Sequence, residues 1–246
     1  MSCSKERGEK KVIITKQVVV PDYKAQENGM VLEVTQEIDP VDPREWDNMG
    51  EMVCWHPRYL LGDRQIGTQH EVDEILLDIL DEKFDFSETQ RENISYYADS
   101  SVLLRAVLMH TKTALLPLYL YDHSGISMST GSRLFRMMDG AGWDWNITGI
   151  IYATENSIKK EFGVAEITEE VREKAKDQLR EEAHAYDLYL RGEVYEFRLY
   201  NADTDEDIDS CGGFMGDSIK DLKADIERML PEAYKHLTGL LEPCEY

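Results

Sequence analysis

The order in which strand-type and helix-type segments follow one another constrains this chain more than any single motif. Two strand-type runs come first: Lys11 to Pro21, β-branched and apolar, and Met30 to Ile38, which reads MVLEVTQEI with alternating character. The connector DPVDPREWDN follows, where Pro40 and Pro43 enforce turns, and then a short strand-type run, Glu51 to His56, is stopped by Pro57. Two helical patterns come next. Thr68 and Glu71 form a T-x-x-E capping box ahead of Val72, Ile75, Leu76, Ile79 and Leu80 at helical spacing. Ser87 and Gln90 form the S-x-x-Q version ahead of RENISYYADSSVLLRAVLMHT. Leu116 to Tyr121 and Ile147 to Ala153 read as strands, with Pro117 near the start of the first, where a missing N–H is tolerated.

Between those two strands, residues 127–145 show no clean period and carry three glycines, which predicts a long loop. Thr154 to Phe162 reads as a short helix ended by Gly163. The longest helix covers about residues 169–190, capped by Thr168 and closed by Gly192. Its apolar stripe is Val171, Ala175, Leu179, Ala183, Tyr186 and Leu190. A hairpin of 193–200 and 208–214 flanks the acidic turn 201–207, and a final helix capped at Asp217 or Ser218 is kinked or split by Pro231. Strands therefore cluster and do not alternate with helices as in a doubly wound sheet. The expectation is an α+β fold, a mixed or mainly antiparallel sheet with helices packed on one side. No linker forces a boundary: residues 1–10 read as a flexible basic tail and 11–246 as a single α+β domain, with the C-terminal helix 218–241 a candidate appendage.

Composition matters next because of charge. A hydrophobic content of 42% and a charged content of 31% belong to a folded protein, but 49 acidic residues stand against 27 basic ones, a net charge of -22. Lys5, Arg7, Lys10, Lys11 and Lys16 crowd the first sixteen residues beside only Glu6 and Glu9, so the body is more negative still. Such a field repels phosphate backbones, whose affinity for proteins comes largely from counterions released to Lys and Arg. Direct nucleic-acid binding is not expected; a basic partner is, unless the charge serves solubility alone. There is no run of about 18 apolar residues to span a membrane, and MSCSKERGEKK lacks the apolar core of a secretory signal. Cys3, Cys54, Cys211 and Cys244 are too few and scattered for a disulfide scaffold, which suits a reducing cytoplasm.

Several motifs carry chemistry. Asp203, Asp205, Asp207 and Asp209 alternate as in a calcium loop, but the positions that need glycine and glutamate hold Ile208 and Phe214, so an acidic hairpin tip is expected. Cys54 and His56 would share a strand face, as two metal ligands do, with His70, His123 and Cys211 able to complete a site. No C-x-x-C or H-x-x-x-H spacing supports them; a buried cysteine and a hydrogen-bonded histidine are simpler, and no metal or cofactor is expected. Asp122-His123-Ser124 ends a strand, where active sites often sit. Together with Asp47, His56 and Asp63 it offers the alternative of a metal- or acid–base-dependent hydrolase or nuclease centred on His56 and His123. No G-x-S-x-G elbow is present, and CGGFMG and GAG match no phosphate loop. The tryptophans at 46, 55, 143 and 145 lie near polar segments, as core or as interface anchors.

Five segments together resemble a family of uncharacterised accessory proteins carried by bacteriophages, prophages and conjugative elements of Gram-positive bacteria. They are DPREWDNMGEMVCWHPRYLLGD (42–63), LPLYLYDHSGISMST (116–130), TGIIYATENSIKKEFGV (148–164), YDLYLRGEVYEF (186–197) and IDSCGGFMGD (208–217). The chain departs from that pattern at 131–145, where a shorter tryptophan-containing stretch is expected, and adds an N-terminal extension and a C-terminal helix. The resemblance implies no activity and assigns no catalytic residue. It implies a context, the cytoplasm of a bacterial host, where small acidic proteins of mobile elements occupy the basic grooves of restriction enzymes or CRISPR effectors. The leading expectation is therefore an inhibitor of a nucleic-acid-directed defence protein, with nucleic-acid mimicry as the candidate mechanism. Its candidate contacts lie on helices 71–85 and 169–182 and the turn 203–209, foremost Asp203, Asp205, Glu206, Asp207, Glu169, Glu170 and Glu173.

Overall fold

The computed structural model describes residues 21–244. The strand expected at Lys11 to Pro21 and the tail 1–10 fall, Pro21 aside, outside the described residues. The chain runs β1 (Tyr23–Glu27), β2 (Met30–Gln36), a 3-10 turn (Pro43–Glu45), β3 (Glu51–Cys54) and β4 (Arg64–Gln65). Three helices follow, α1 (Gln69–Phe84), α2 (Glu88–Tyr97) and α3 (Ser100–His110), then β5 (Ala114–Asp122), β6 (Ile126–Ser129), α4 (Arg133–Met138) and β7 (Trp145–Ala153). The remainder is α5 (Glu155–Phe162), α6 (Glu169–Arg191), β8 (Val194–Asn201), β9 (Asp207–Met215), α7 (Ile219–Met229), a 3-10 segment (Glu232–Leu240) and β10 (Glu242–Pro243).

The α+β class holds, with two five-stranded sheets. The first has the order β10-β1-β2-β8-β9, antiparallel throughout. Its β1–β2 hairpin turns on Asn28 and Gly29, both at positive φ (51° and 79°), the pair that a tight hairpin favours. Leu32, Val34, Phe197, Leu199 and Phe214 face one way and bury against Leu222 and Ile226 of α7 and Leu237 and Leu241 beyond it. The C-terminal segment is therefore not an appendage: it is the layer that closes this core. Pro231 splits it, as expected.

The second sheet, β4-β3-β7-β5-β6, is antiparallel except for β3–β4. Here helices cover both faces. On one, Met52, Leu118, Leu120, Met128 and Ile151 pack on Ala175, Leu179, Ala183 and Tyr186 of α6. On the other, Val53 and Tyr152 pack with Ile75, Leu76, Ile79 and Leu80 of α1 and Leu103 and Val107 of α3. Among the described residues, one-sided helix packing is thus right for the first sheet only. Adjacent residues of one strand serve different cores, which explains why β5 and β7 read as continuous apolar runs and not as alternating ones.

Two further expectations are corrected. Residues 127–145 are not one loop; they hold most of β6, all of α4 and the first residue of β7. The helical run after Ser87 breaks at Ala98, because Asp99 caps a new helix by accepting the N–H groups of Ser101 and Val102. Among the described residues no helix is long and apolar enough to cross a membrane. The middle of the chain also leaves and re-enters the first sheet at one place: Gln36 pairs with Tyr195, and the Glu37 N–H donates to the Val194 carbonyl at 2.8 Å.

Candidate functional site

The segment 42–63 builds a clamp around one buried arginine. Asp42 accepts the N–H of Arg44 and starts the 3-10 turn, which directs the Arg44 side chain inward, where only 4% of it is exposed. Its guanidinium donates to both oxygens of Asp63 (3.0 and 2.7 Å), to Glu182 of α6 (3.2 Å) and to the Gly50 carbonyl (2.7 Å). Asp63 also accepts the Met52 N–H (2.6 Å) and Glu182 the Met49 N–H (2.9 Å). Burial pushes the Glu182 carboxyl above its ordinary range, against the pull of Arg44. Arg44 and Glu182 are buried with their partners engaged, while Asp63 closes the fork at the surface. Asp63, expected among the catalytic candidates, is consumed by the clamp, and Asp47 is exposed on the connector and does not line the pocket that His56 and Asp122 share.

Cys54 and His56 part company. Cys54 ends β3 in the core under α6, and burial pushes its thiol up to about 12. His56 lies beyond the strand end, so the period-two argument that gave the two a common face does not reach it. His70 is exposed on α1 and Cys211 belongs to the first sheet. Among the described residues no three His, Cys, Asp or Glu side chains gather as a metal ion requires.

His56, Asp122 and the start of β7 do converge. They line a pocket of about 380 Å³ with Arg58, Trp143, Asp144, Trp145, Asn146 and Thr148, floored by Leu120. The His56 Nδ1 accepts the N–H groups of Arg58 (3.3 Å) and Tyr59 (3.2 Å), and its ring stacks on Tyr59 at 4.8 Å. With Nδ1 so occupied, the proton of the neutral ring sits on Nε2. Burial lowers its pKa, opposed by Asp122 and assisted by Arg58. Asp122 accepts from Arg58 and from the Tyr59 hydroxyl (3.2 Å). His123 stands beside the pocket with its Nδ1 3.1 Å from Asp144. Ser124, at φ 59°, serves the β5–β6 turn and not a triad.

Thr148 is the residue that sequence reasoning missed. Leu118 pairs with Gly149 and Tyr119 with Ile147, so Thr148 is the extra residue of a β-bulge. It is 4% exposed, and its Oγ1 is buried with no hydrogen-bond partner. Beside it β3 and β7 cross so closely that a Cβ on Gly149 would lie 2.5 Å from the Val53 carbonyl oxygen.

The acidic candidates lie apart. Asp205 and Asp207 share Arg198 at the β8–β9 tip, where Asp203 and Glu206 are exposed. On α6, Glu170 pairs with Lys174 (2.7 Å) and Glu173 with Lys176 (2.6 Å), while Glu169 is 3.9 Å from both Lys112 and Arg172. A different stretch is less compensated. On the connector between β2 and β3, Asp39, Glu45 and Asp47 are exposed, and among the described residues they meet no Lys or Arg in an ion pair. Ile38 just before them and Val41 and Trp46 between them are exposed as well. After burial, the charges of Asp42, Asp39 and Glu45 raise the pKa of the Tyr189 hydroxyl on α6. Comparison with protein-family models, with curated proteins and with solved structures found no match.

Proposed function

We propose that the chain is an acidic accessory protein that binds a basic protein of a nucleic-acid-directed defence system and inhibits it. The observation that carries this reading is the connector 37–47, where exposed carboxylates alternate with Ile38, Val41 and Trp46. Apolar anchors inside a charged rim are the anatomy of a protein–protein contact, and Trp is prominent among residues that dominate such contacts. The carboxylates at 203–207 and along α6 add long-range attraction, because exposed ion pairs hold their partners by only about 0–1 kcal/mol and yield to a competing cation. The hydrolase alternative has less support: His56 has spent its Nδ1 lone pair on backbone N–H groups, and Asp122 is paired with Arg58.

The test is to titrate the purified chain into DNA-cleavage reactions of restriction endonucleases and RNA-guided effectors. Inhibition is expected that weakens on charge reversal of Asp39, Glu45 and Asp47, and by about thirtyfold or more for Trp46→Ala if it is a dominant anchor. Reversal at Asp203, Asp205, Glu206 and Asp207 should chiefly slow association. If no such enzyme is inhibited, the reading fails. If inhibition persists unchanged at about 0.5 M salt, where screening acts over roughly 4 Å, the carboxylates do not act as phosphate mimics.

A further inference from the structure

Helix α2 is held to the body by one face and leaves the other bare. None of its ten residues is buried, and within it only Ile94 packs on the core. An isolated helix of that length is marginal in water, so its contacts with α1 matter. They are ionic: Arg91 donates to Glu74 (2.9 Å), Asp81 (3.4 Å) and Asp78, and the Ser95 hydroxyl donates to Glu74 (3.0 Å). One arginine thus serves three carboxylates, and over residues 69–99 ten Asp and Glu side chains stand against Lys83 and Arg91 alone. On the bare face Glu88, Glu92 and Tyr96 recur every four residues and lie one above another. Both glutamates are exposed, and among the described residues neither is in an ion pair. Tyr96 and Tyr97 are each 81% exposed, and their rings meet edge to face with centroids 4.7 Å apart. Solubility accounts for the carboxylates; it does not account for two bare aromatic rings beside them.

We infer that the outer face of α2 docks an arginine-rich segment of a partner protein, whose guanidinium groups stack on Tyr96 and Tyr97 and pair with Glu88 and Glu92. Charge selects this occupant. A second copy would bring the same negative surface, and a nucleic acid or an anionic membrane would be repelled by a chain of net charge -22. Chemistry selects arginine over lysine, because a planar guanidinium stacks on a ring and donates to both oxygens of a carboxylate at once. The surface is separate from the connector 37–47, and the inference requires neither that contact nor inhibition of any enzyme.

Fluorescence anisotropy with the full chain at about 0.15 M salt tests it, using fluorescein-labelled octa-arginine and octa-lysine peptides as the probes. Octa-arginine should bind, and octa-lysine more weakly although its charge is the same. Replacing both rings, Tyr96→Ala with Tyr97→Ala, should weaken octa-arginine binding by about fivefold to thirtyfold, the range for two exposed cation–π contacts. The corresponding pair of Tyr→Phe changes keeps the ring faces and should stay within about twofold of the parent. Circular dichroism of these variants should match the parent, since both positions are exposed. Reversal at Glu88 and Glu92 to Lys should cost more affinity than the same reversal at Asp203 and Asp207, which alters net charge equally. The inference is overturned if the two peptides bind equally, if the double alanine variant binds octa-arginine as the parent does, or if reversal at the two surfaces costs the same. Sedimentation of the chain alone examines the other occupant: a dimer that dissociates in the double alanine variant would make a second copy the partner and would also overturn it.

Discussion

Arg44 and Arg198 each hold two carboxylates, and only their surroundings differ. The Arg44 side chain is 4% exposed and lies between β3, its following loop and α6; that of Arg198 is 40% exposed on the open face of the first sheet. Around Arg44 the backbone completes the network, with the Gly50 carbonyl and the Met49 and Met52 N–H groups filling the remaining valences. Around Arg198 water can replace either aspartate, and the guanidinium also rests on the Tyr200 ring at 4.2 Å. The same ion triad is thus a structural joint in one place and a surface adjustment in the other. Charge alone says nothing about which; burial decides.

The largest effect should come from breaking the joint. Arg44→Met leaves the buried Glu182 without its cation, while Asp63 keeps access to water, and should destabilise the chain by about 3 kcal/mol in chemical denaturation. Replacing Arg44, Asp63 and Glu182 together by apolar residues should lose less than Arg44→Met alone, and a larger loss would mean that the cluster is itself stabilising. Thiol labelling follows the same event: Cys54, buried behind the clamp with its thiol pushed up to about 12, should stay unmodified at pH 8 in the parent and become reactive in Arg44→Met.

A pH effect comes next. Because burial raises the folded-state pKa of Glu182 above its ordinary value of 4.5, the folded chain holds that proton more tightly than the unfolded one. Stability from this group is full below the ordinary value and declines as pH rises through the interval up to the raised one. Glu182→Gln should flatten that slope, and an unchanged slope would place its origin elsewhere. The smallest effect is expected of Arg198→Ala, within about 1 kcal/mol and diminishing with salt. A cost as large as that of Arg44→Met would erase the distinction between the two forks.

Much of the fold was legible, and the misses have physical causes. The Ser87–Gln90 capping box is formed, and Gly163 and Gly192 end α5 and α6 at positive φ, because these signals act within one turn of chain. The hairpin of β1 and β2 was missed although Asn28-Gly29 is a strong local turn signal; its short, polar first strand hid it. The two-sided burial of the second sheet was present in the unbroken apolar runs of β5 and β7, which one-sided sheets do not need. The site was less legible. His56 and Asp122 are brought together as the sequence suggested, but the roles of Arg44, Glu182 and Thr148 depend on register and on partners 138 residues away or more than a strand apart. Within the distinctive stretch DPREWDNMGEMVCWHPRYLLGD, Arg44 and Asp63 serve a structural joint, while Trp46 stays at the surface and His56 lines the pocket.

The closure of the first sheet has a consequence for how the protein is made. Met30 pairs with Asn201, so β2 emerges from the ribosome long before the strand that flanks it. At ordinary elongation rates the delay until α7 follows is on the order of ten to forty seconds. Through that interval the β1–β2 hairpin, too small to be stable alone, carries Leu32 and Val34 without the later segments of the described chain that cover them in the fold. The second sheet, assembled from consecutive chain, has shorter loops to close and forms first. Folding of the first sheet then waits on the middle of the molecule to return residue 193 to the side of residue 37, which makes β1 and β2, the first of the described strands, the last to be secured.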